Sequence, residues 1–436
     1  AKIQAIFFLH QINRTAVIMQ LKEKILAKNT LMLYIMQISS YVFPLLSFPY
    51  LTRILGAEKY GIVVFANSIM SYFTLFIEFG FLLSGTNSCS QNSDDKKKLG
   101  HITFGIIKAK SFLIVVALIP LLICCLFVEK IKSDALFFVL SFIGVFLTIF
   151  LPEFLYRGIE KMSIITYRVV FAKAVYTAII FICIHKESDY MIVPIATIGS
   201  NFVAVFLTWF DIYKKKYVTF TKVTFLETLM YLKESSLFFL SRIASTFYTS
   251  LNTVLLGFNF PSSNVGQYGV ANTLTNTCRS LLSPISDSIY PYMVKQKNFR
   301  LVKRIILILE PIIIGGCILL WFIAGPVIRI ACGEGYEAAV PMLRAMIPII
   351  AITLPAYLCG YPVLGALGQI KWANLSVVIS ASFHVIGIII LFSLGKVGFI
   401  SIIVLTCITQ VIELLIRLFV ILRTIKNENK NLVENN

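Results

Sequence analysis

Long apolar runs alternate with short polar stretches along most of the chain. Each run approaches the roughly 20 apolar residues that a helix needs to cross a hydrocarbon core about 30 Å thick. Continuous runs favour helices over barrel strands, because the strands of a barrel alternate between apolar and polar residues. The pattern predicts an all-α integral membrane protein with twelve transmembrane helices, at residues 31–52, 60–83, 102–127, 134–156, 164–184, 191–213, 235–257, 266–292, 305–330, 338–363, 372–392 and 398–422.

The composition agrees with this prediction and excludes a water-soluble domain. Hydrophobic residues make up 58% of the 436 positions and charged residues 14%, whereas soluble domains average about 45–50% and about 25%. The mean hydropathy is +0.85. Most of the chain is therefore expected to lie inside a bilayer, in contact with membrane lipids.

The net charge of +18 is distributed in short basic clusters between the apolar runs. A nucleic-acid-binding protein would concentrate its cations on one stripe or domain, so nucleic acid is not expected as a partner. If the first span leaves the cytoplasm, 22 basic residues of the loops and tails fall on the cytoplasmic side and 7 on the other. This bias predicts that both termini lie in the cytoplasm.

A polar stretch at residues 214–234 separates the first six predicted spans from the last six. Its apolar residues recur at helical spacing among charges, which is typical of a short helix on the membrane surface. We therefore predict an N-terminal lobe at 19–213, this linker, a C-terminal lobe at 235–422 and a cytoplasmic tail at 423–436. Residues 1–18 are expected to be an upstream extension without a structural role.

The usual sequence motifs of enzymes and metal sites are absent. The nine cysteines form no C-x-x-C pair, the four histidines form no H-E-x-x-H motif, and no G-x-x-x-x-G-K-[ST] loop occurs. These patterns are typical of zinc, redox and nucleotide chemistry. We therefore expect a protein that is not an enzyme and that holds no metal or cofactor.

A polar hinge between two apolar runs occurs twice, in residues 48–69 and 255–274. Both copies contain Leu-Gly, a short polar link, Tyr-Gly and then Ala-Asn. The copies begin six predicted spans apart, so they point the same way through the membrane and form parallel repeats. Glycine suits such turns, because it accepts positive φ and close packing. The candidate hinge residues are Gly56, Gly61, Gly257 and Gly269.

Spans one, two, seven and eight carry polar residues at spacings of three and four positions. Residues at such spacings share one face of a helix. One interpretation is hydrogen bonding between packed helices; the other, which we favour, is a shared aqueous cavity that binds substrate. The candidate cavity residues are Gln37, Asn67, Ser71, Thr74, Arg242, Asn252, Asn272, Asn276 and Arg279.

Arg279 and Arg242 fall inside predicted spans. A charge at the bilayer centre costs at least about 2.5–3.5 kcal/mol on insertion scales, so such residues are usually functional. Arginine suits an anionic substrate with phosphate, because its planar fork binds two oxygens. The alternative is an internal ion pair, such as Arg417 with Glu413 one turn away. Glu78 is a candidate for binding a coupling ion, with pairing to Arg242 or closure of the cavity as alternatives.

Several segments resemble the Wzx-type O-antigen flippases. That group belongs to the polysaccharide-transporter family of the MOP superfamily, with the MATE exporters and lipid II flippases as relatives. The likeness extends from around residue 29 to the last span. The segments that carry it are PLLSFPYLTRILGAEKYG, YFTLFIEFGFLLSGT, PEFLYRGIEKM, VGQYGVANTLTNTCRSLLSPISDSIYP and CGEGYEAAVPMLRAM.

The resemblance implies a MATE-like bundle of two pseudo-symmetric six-helix lobes, with a central cavity lined by spans one, two, seven and eight. It also implies a substrate, an oligosaccharide repeat unit linked through pyrophosphate to undecaprenol. Alternating access would move this unit from the cytoplasmic to the periplasmic leaflet of the bacterial inner membrane. The protein partners implied are the O-antigen polymerase and the chain-length regulator.

Three other functions stay open from the sequence. A MATE-like exporter of small cationic molecules would need negative charge in its cavity, whereas the predicted spans carry arginines at that depth. A capsular or exopolysaccharide flippase would apply the same chemistry to another sugar. A scaffold for the polymerase that transports nothing would leave the mid-membrane cations unexplained.

Overall fold

The computed structural model is almost entirely helical, as the apolar pattern predicts. It describes the side chains of residues 28 to 427, except 237, 240 to 242 and 244 to 249. The upstream extension expected at residues 1–18 lies outside this part of the chain. No strand occurs among the residues that the structure describes.

Eight helices form the first half of the chain. They are α1 Lys2–Glu78, α2 Phe81–Gln91, α3 Lys96–Phe127, α4 Glu129–Lys132, α5 Ala135–Leu147, α6 Glu153–Gly158, α7 Met162–Cys183 and α8 Ile192–Lys215. α1 is bent at the first predicted hinge, where Gly56 adopts φ 64° and ψ 175°. It ends where Phe79 and Gly80 take φ 40° and 79°.

Eight further helices form the second half. They are α9 Phe225–Asn259, α10 Ser262–Ser280, α11 Ser283–Gln296, α12 Phe299–Cys332, α13 Ala339–Ala351, α14 Thr353–Leu358, α15 Ile370–Ser393 and α16 Phe399–Glu434. Predicted span eight is interrupted, because it consists of α10 and α11. Predicted span ten is also interrupted, because it consists of α13, α14 and a π-helical segment, Cys359–Leu364.

Nine helical stretches in the described part of the chain are long and apolar enough to cross a membrane. The first, Lys28–Gln91, has 64 residues. At 1.5 Å per residue it is far longer than one crossing requires, and it contains predicted spans one and two. The helices α9, α10 and α11, which cover predicted spans seven and eight, are not among the nine. The count of twelve spans stays a prediction.

The linker before predicted span seven runs directly into that span. Its apolar residues form the first turns of α9, which continues as one helix into the span. Glu227 accepts hydrogen bonds from the hydroxyl and backbone N–H of Thr224, both at 2.7 Å, and these bonds hold the pKa of Glu227 below its ordinary value. This capping box starts the helix ahead of the apolar run, so the linker and the span form together.

The packing divides the chain into two compact units. The first unit comprises Ala1–Ser47, Phe76–Cys183 and Met191–Phe239. The second comprises Phe48–Leu75, Ile184–Tyr190 and Leu240–Asn436, and it therefore contains both predicted hinges. The predicted lobes divide the chain at the linker alone, and their boundaries stay a prediction.

An ionic cluster in the first unit joins α6 to α7. Glu153 accepts hydrogen bonds from Arg157, at 2.6 and 3.1 Å, and from Arg168, at 3.4 Å. Arg168 is buried, so the carboxylate offsets part of the cost of holding its charge away from water. The segment PEFLYRGIEKM, which contains two of these residues, therefore contributes to the packing of this unit.

Reporter fusions test the predicted orientation. Because basic residues accumulate on one side of the predicted spans, reporters joined after Lys216 and after residue 436 should both lie in the cytoplasm. Paired reporters that are active on opposite sides of the membrane measure this directly. A periplasmic signal at either position would contradict the topology.

Candidate functional site

Two interrupted spans of the second unit meet at one arginine. α10 ends at Ser280 and α11 begins at Ser283, with Pro284 in its first turn. α13 ends at Ala351 and α14 begins at Thr353. Prolines favour such breaks, because they lack the N–H that continues a helix. Transporters commonly form their substrate and ion sites at discontinuous helices, where backbone groups are not all used within the helix.

Arg279 lies in the last turn of α10, next to the first of these breaks. Its Nε donates to Thr353 Oγ1 at 3.2 Å, and its Nη2 donates to Gln410 Oε1 at 3.3 Å. Thr353 and Gln410 are buried, whereas Arg279 is partly exposed. The arginine is therefore anchored from two helices, α14 and α16, and remains partly exposed.

Both anchors of Arg279 are neutral. No carboxylate among the described residues lies within 4.0 Å of its guanidinium. By contrast, Arg417 on α16 pairs with Glu413 at 2.5 Å, which confirms the internal pair considered from the sequence. The charge of Arg417 is neutralised inside the unit, whereas that of Arg279 is available to an anion.

Asn272 and Asn276 precede Arg279 on the same face of α10. The Asn276 Nδ2 donates to Asn272 Oδ1 at 3.1 Å, and Asn276 is exposed. Residues at positions i, i+4 and i+7 lie along one side of a helix. The predicted polar stripe of span eight is thus an accessible surface that ends at the arginine.

The stripe of span two combines packing with exposure. The Ser71 hydroxyl donates to Ser250 of α9 at 2.8 Å, and the Thr74 hydroxyl donates to a backbone carbonyl of its own helix. Asn67 is exposed. In the first unit, Gln37 donates to the Tyr41 hydroxyl at 2.6 Å and is partly buried. Ser71 therefore joins two helices, whereas Asn67 remains accessible.

Asn252 differs from the expectation that it lines an aqueous cavity, because it is only 4% exposed. Its Nδ2 donates to Thr406 Oγ1 at 3.0 Å, and its Oδ1 lies 2.8 Å from His384 Nε2. Both ends of the amide are therefore used by α15 and α16. Asn252 links helices within the second unit, as the alternative of interhelical hydrogen bonding predicts. Arg242, the other arginine proposed from the sequence, lies outside the described residues.

Glu78 pairs with Lys110, a partner that the sequence left unassigned. The Lys110 Nζ lies 2.7 Å from Glu78 Oε1, and Lys110 is 1% exposed. Glu78 is the last residue of α1, where the left-handed turn at Phe79 and Gly80 ends the helix. The pair places a buried cation of α3 against the end of α1 within the first unit. Its use as a coupling-ion site stays a prediction.

Replacing Glu78 with alanine should destabilise the protein through Lys110. Removing one partner of a buried pair leaves the other charge uncompensated and costs about 3–5 kcal/mol, so the midpoint of thermal unfolding in detergent should fall. Adding Lys110→Met to Glu78→Ala should restore most of the loss, because no unpaired charge remains. As a control, Arg329→Ala breaks an exposed pair with Glu334 and should cost less than about 1 kcal/mol.

An unchanged midpoint in Glu78→Ala, with transport lost, would contradict this structural role. The carboxylate would then act on a transported or coupling ion rather than on Lys110. Measuring stability and transport on the same purified variants separates the two roles.

The two predicted hinges meet within the second unit. A Cβ added to Gly61 would lie 1.7 Å from the Ser262 carbonyl oxygen, and one added to Gly266 would lie 2.1 Å from that of Ala57. These backbones approach too closely for any side chain. Further along the repeat, a Cβ on Gly257 would meet Phe65, and one on Gly269 would meet Val64. The candidate hinge glycines of the second copy thus permit close packing against the first.

The segment CGEGYEAAVPMLRAM packs against these hinges. The Tyr336 hydroxyl donates to the Thr52 carbonyl at 3.1 Å, and the Arg53 guanidinium donates to the Ile330 carbonyl. Gln267 donates to the Gly335 carbonyl at 2.6 Å. The loop between α12 and α13 therefore ties both copies of the hinge together.

Comparison with known proteins identifies the family. The family described as "Polysaccharide biosynthesis protein" matches residues 26–297. A protein of Escherichia coli (strain K12) is 30% identical over 333 residues, which cover 74% of this chain and 80% of its own length. A protein of Shigella dysenteriae is 25% identical over 328 residues, which cover 73% and 81%. Both bear O-antigen transporter as a provisional name.

Solved structures show the fold. An inward-facing MATE family multidrug transporter of the MOP superfamily superposes with a TM-score of 0.70 at 14% identity, over 88% of this chain and 95% of its own. The lipid II flippase MurJ, in an inward closed conformation, gives a TM-score of 0.68 at 16% identity, over 91% and 87%. The named relatives are transporters, which points to transport rather than catalysis. The chain is a multi-pass membrane protein with the fold of the MOP superfamily transporters, and it belongs to the polysaccharide biosynthesis protein family.

Proposed function

We propose that this protein flips undecaprenyl-pyrophosphate-linked O-antigen repeat units from the cytoplasmic to the periplasmic leaflet of the bacterial inner membrane. The observation that carries the proposal is Arg279, a cation at a break between helices that has only neutral anchors. The O-antigen relatives and the flippase fold support the same substrate class. Both termini lie in the cytoplasm, and the polymerase and chain-length regulator receive the product.

The diphosphate is the part of the substrate that an arginine can recognise. Its oxygens accept two parallel hydrogen bonds from a guanidinium, a geometry that an ammonium group does not offer. The exposed amides of Asn276 and Asn67 suit the hydroxyl groups of a sugar. The polyprenyl tail stays in the lipid while the polar head crosses, and alternating access exposes the head to each side in turn.

A capsular or exopolysaccharide unit is the second candidate, because the same linkage and the same arginine chemistry apply to it. A MATE-like exporter of small cations fits less well. Its substrate would be repelled by Arg279, which is held without a carboxylate among the described residues. The arginine therefore favours an anionic substrate over a cationic one.

Deleting the gene in its host tests the proposal. Lipopolysaccharide should lose its O-antigen ladder on a gel, while undecaprenyl-linked units accumulate on the cytoplasmic face of the inner membrane. A plasmid copy of the gene should restore the ladder. A retained ladder with loss of capsule would select the second candidate, and a retained ladder with raised drug sensitivity would select the exporter.

A further inference from the structure

The anchoring of Arg279 leaves most of its hydrogen-bonding capacity unused. A guanidinium has five N–H donors, and two of them bond to Thr353 and Gln410. The bonded donors are on Nε and Nη2, so Nη1 and the second hydrogen of Nη2 remain for another acceptor. In a guanidinium one hydrogen of Nη1 and one of Nη2 lie side by side on the terminal edge, and two adjacent donors of this kind can bind two oxygens of a phosphate.

One anchor is fixed by a further hydrogen bond, and the other lies beside a buried polar network. The Thr353 hydroxyl donates to the Ile349 carbonyl at 2.7 Å, so its lone pairs face the arginine. Gln410 follows Thr409, whose hydroxyl lies 2.9 Å from His384 Nδ1 in the buried network of α15 and α16. A guanidinium held in this way loses less side-chain freedom when it binds a ligand, which favours affinity.

The residue type at position 410 is informative because the same helix offers a contrast one turn later. Glu413 neutralises Arg417 in a buried pair. Gln410 has nearly the same shape as glutamate and accepts the same kind of hydrogen bond, yet it carries no charge. At Arg279 the chain thus uses a neutral acceptor that orients the cation without cancelling its charge.

We propose that Gln410 and Thr353 are positioning residues that hold the Arg279 guanidinium while leaving its charge for the diphosphate of a lipid carrier. This inference rests on the proposed function. It assigns selectivity for an anion to a pair of buried, neutral side chains on α14 and α16. A carboxylate at position 410 would close the site by forming an internal ion pair of the kind seen at Arg417.

The test compares Gln410→Glu with Gln410→Ala in the purified full-length protein. Undecaprenyl diphosphate is the probe, undecaprenol is its neutral counterpart, and native mass spectrometry measures binding of each. Gln410→Glu should bind the diphosphate at least about tenfold more weakly than Gln410→Ala, because the new carboxylate competes directly for the guanidinium. Undecaprenol should bind equally to all variants. Gln369→Glu adds the same charge elsewhere in the second unit and should bind as the wild type does.

Two further variants test the threonine. Thr353→Ser keeps the hydroxyl and should retain binding, whereas Thr353→Val keeps the shape and should lose several-fold in affinity for the diphosphate. If position 410 merely supports packing, Gln410→Glu will bind the diphosphate at least as well as Gln410→Ala, because it keeps an acceptor of the same shape. That result overturns the inference.

The outcomes also separate this inference from the proposed function. A wild-type protein that binds undecaprenol and its diphosphate equally would contradict diphosphate recognition itself. A wild-type protein that prefers the diphosphate, together with a Gln410→Glu variant that prefers it equally, would leave the function intact and remove only the positioning role.

Discussion

Arg279→Ala should reduce O-antigen export to a few per cent of the wild-type rate or less. Each hydrogen bond to a charged group contributes about 1.5–3 kcal/mol, so a lost two-pronged contact lowers affinity by about a hundredfold or more. Arg279→Lys should recover only part of the activity, because an ammonium keeps the charge but loses the fork. The measurement is the intensity of the O-antigen ladder in a deletion strain that carries each variant, at equal membrane abundance.

Arg304→Ala is the matched control, since it removes an exposed arginine from α12 of the same unit. It should leave export unchanged. Arg242→Ala is expected to behave as Arg279→Ala does, on the evidence of its position in predicted span seven alone. Full export by either alanine variant would remove that residue from the mechanism.

The architecture could be predicted because lipid imposes a strong constraint. Every backbone polar group in a bilayer must be satisfied within the protein, so apolar runs of sufficient length become helices. The breaks were harder to predict. Span eight reads as one run from residue 266 to 292, but Pro284 and the serines around it favour a new helix start at Ser283. The predicted range of span eight was based on hydrophobicity alone, so it did not include the helix start at Ser283.

The candidate site was predictable only in part, for a physical reason. A charge within a span is costly, so Arg279 could be singled out from the sequence. Neutral polar residues carry no such cost once they are paired, and Asn252 and Gln410 look alike in a helix pattern. Only packing distinguishes them. The Asn252 amide is hydrogen-bonded to His384, whereas the Gln410 amide accepts a hydrogen bond from Arg279. Thr353 was missed because single threonines are common between packed helices.

Placing a side chain at the contact between the hinges should stop transport. A Cβ at Gly61 would lie 1.7 Å from a backbone oxygen of Ser262, so Gly61→Ala cannot form the observed contact without moving one hinge. If alternating access requires these ends to meet and to part, the variant would lose the state in which they meet. Gly315→Ala is the matched control, because it adds the same methyl group to a helical glycine with no atom within 4 Å, and it should transport normally.

Holding the two hinges together with a cross-link should also stop transport. Ala57 and Ser263 lie next to the close approach of Gly61 and Gly266. Cysteines placed at these two positions, in a protein without its nine native cysteines, can be joined by a short cross-linker added from outside. Complete cross-linking should halt O-antigen export, and a reducible linker should restore export when it is cleaved. Gly61→Ala should also lower the cross-linking yield, since the hinges can no longer approach. Unchanged export with complete cross-linking would show that the hinges are a static packing contact, because a protein that must separate them could not work while they are joined.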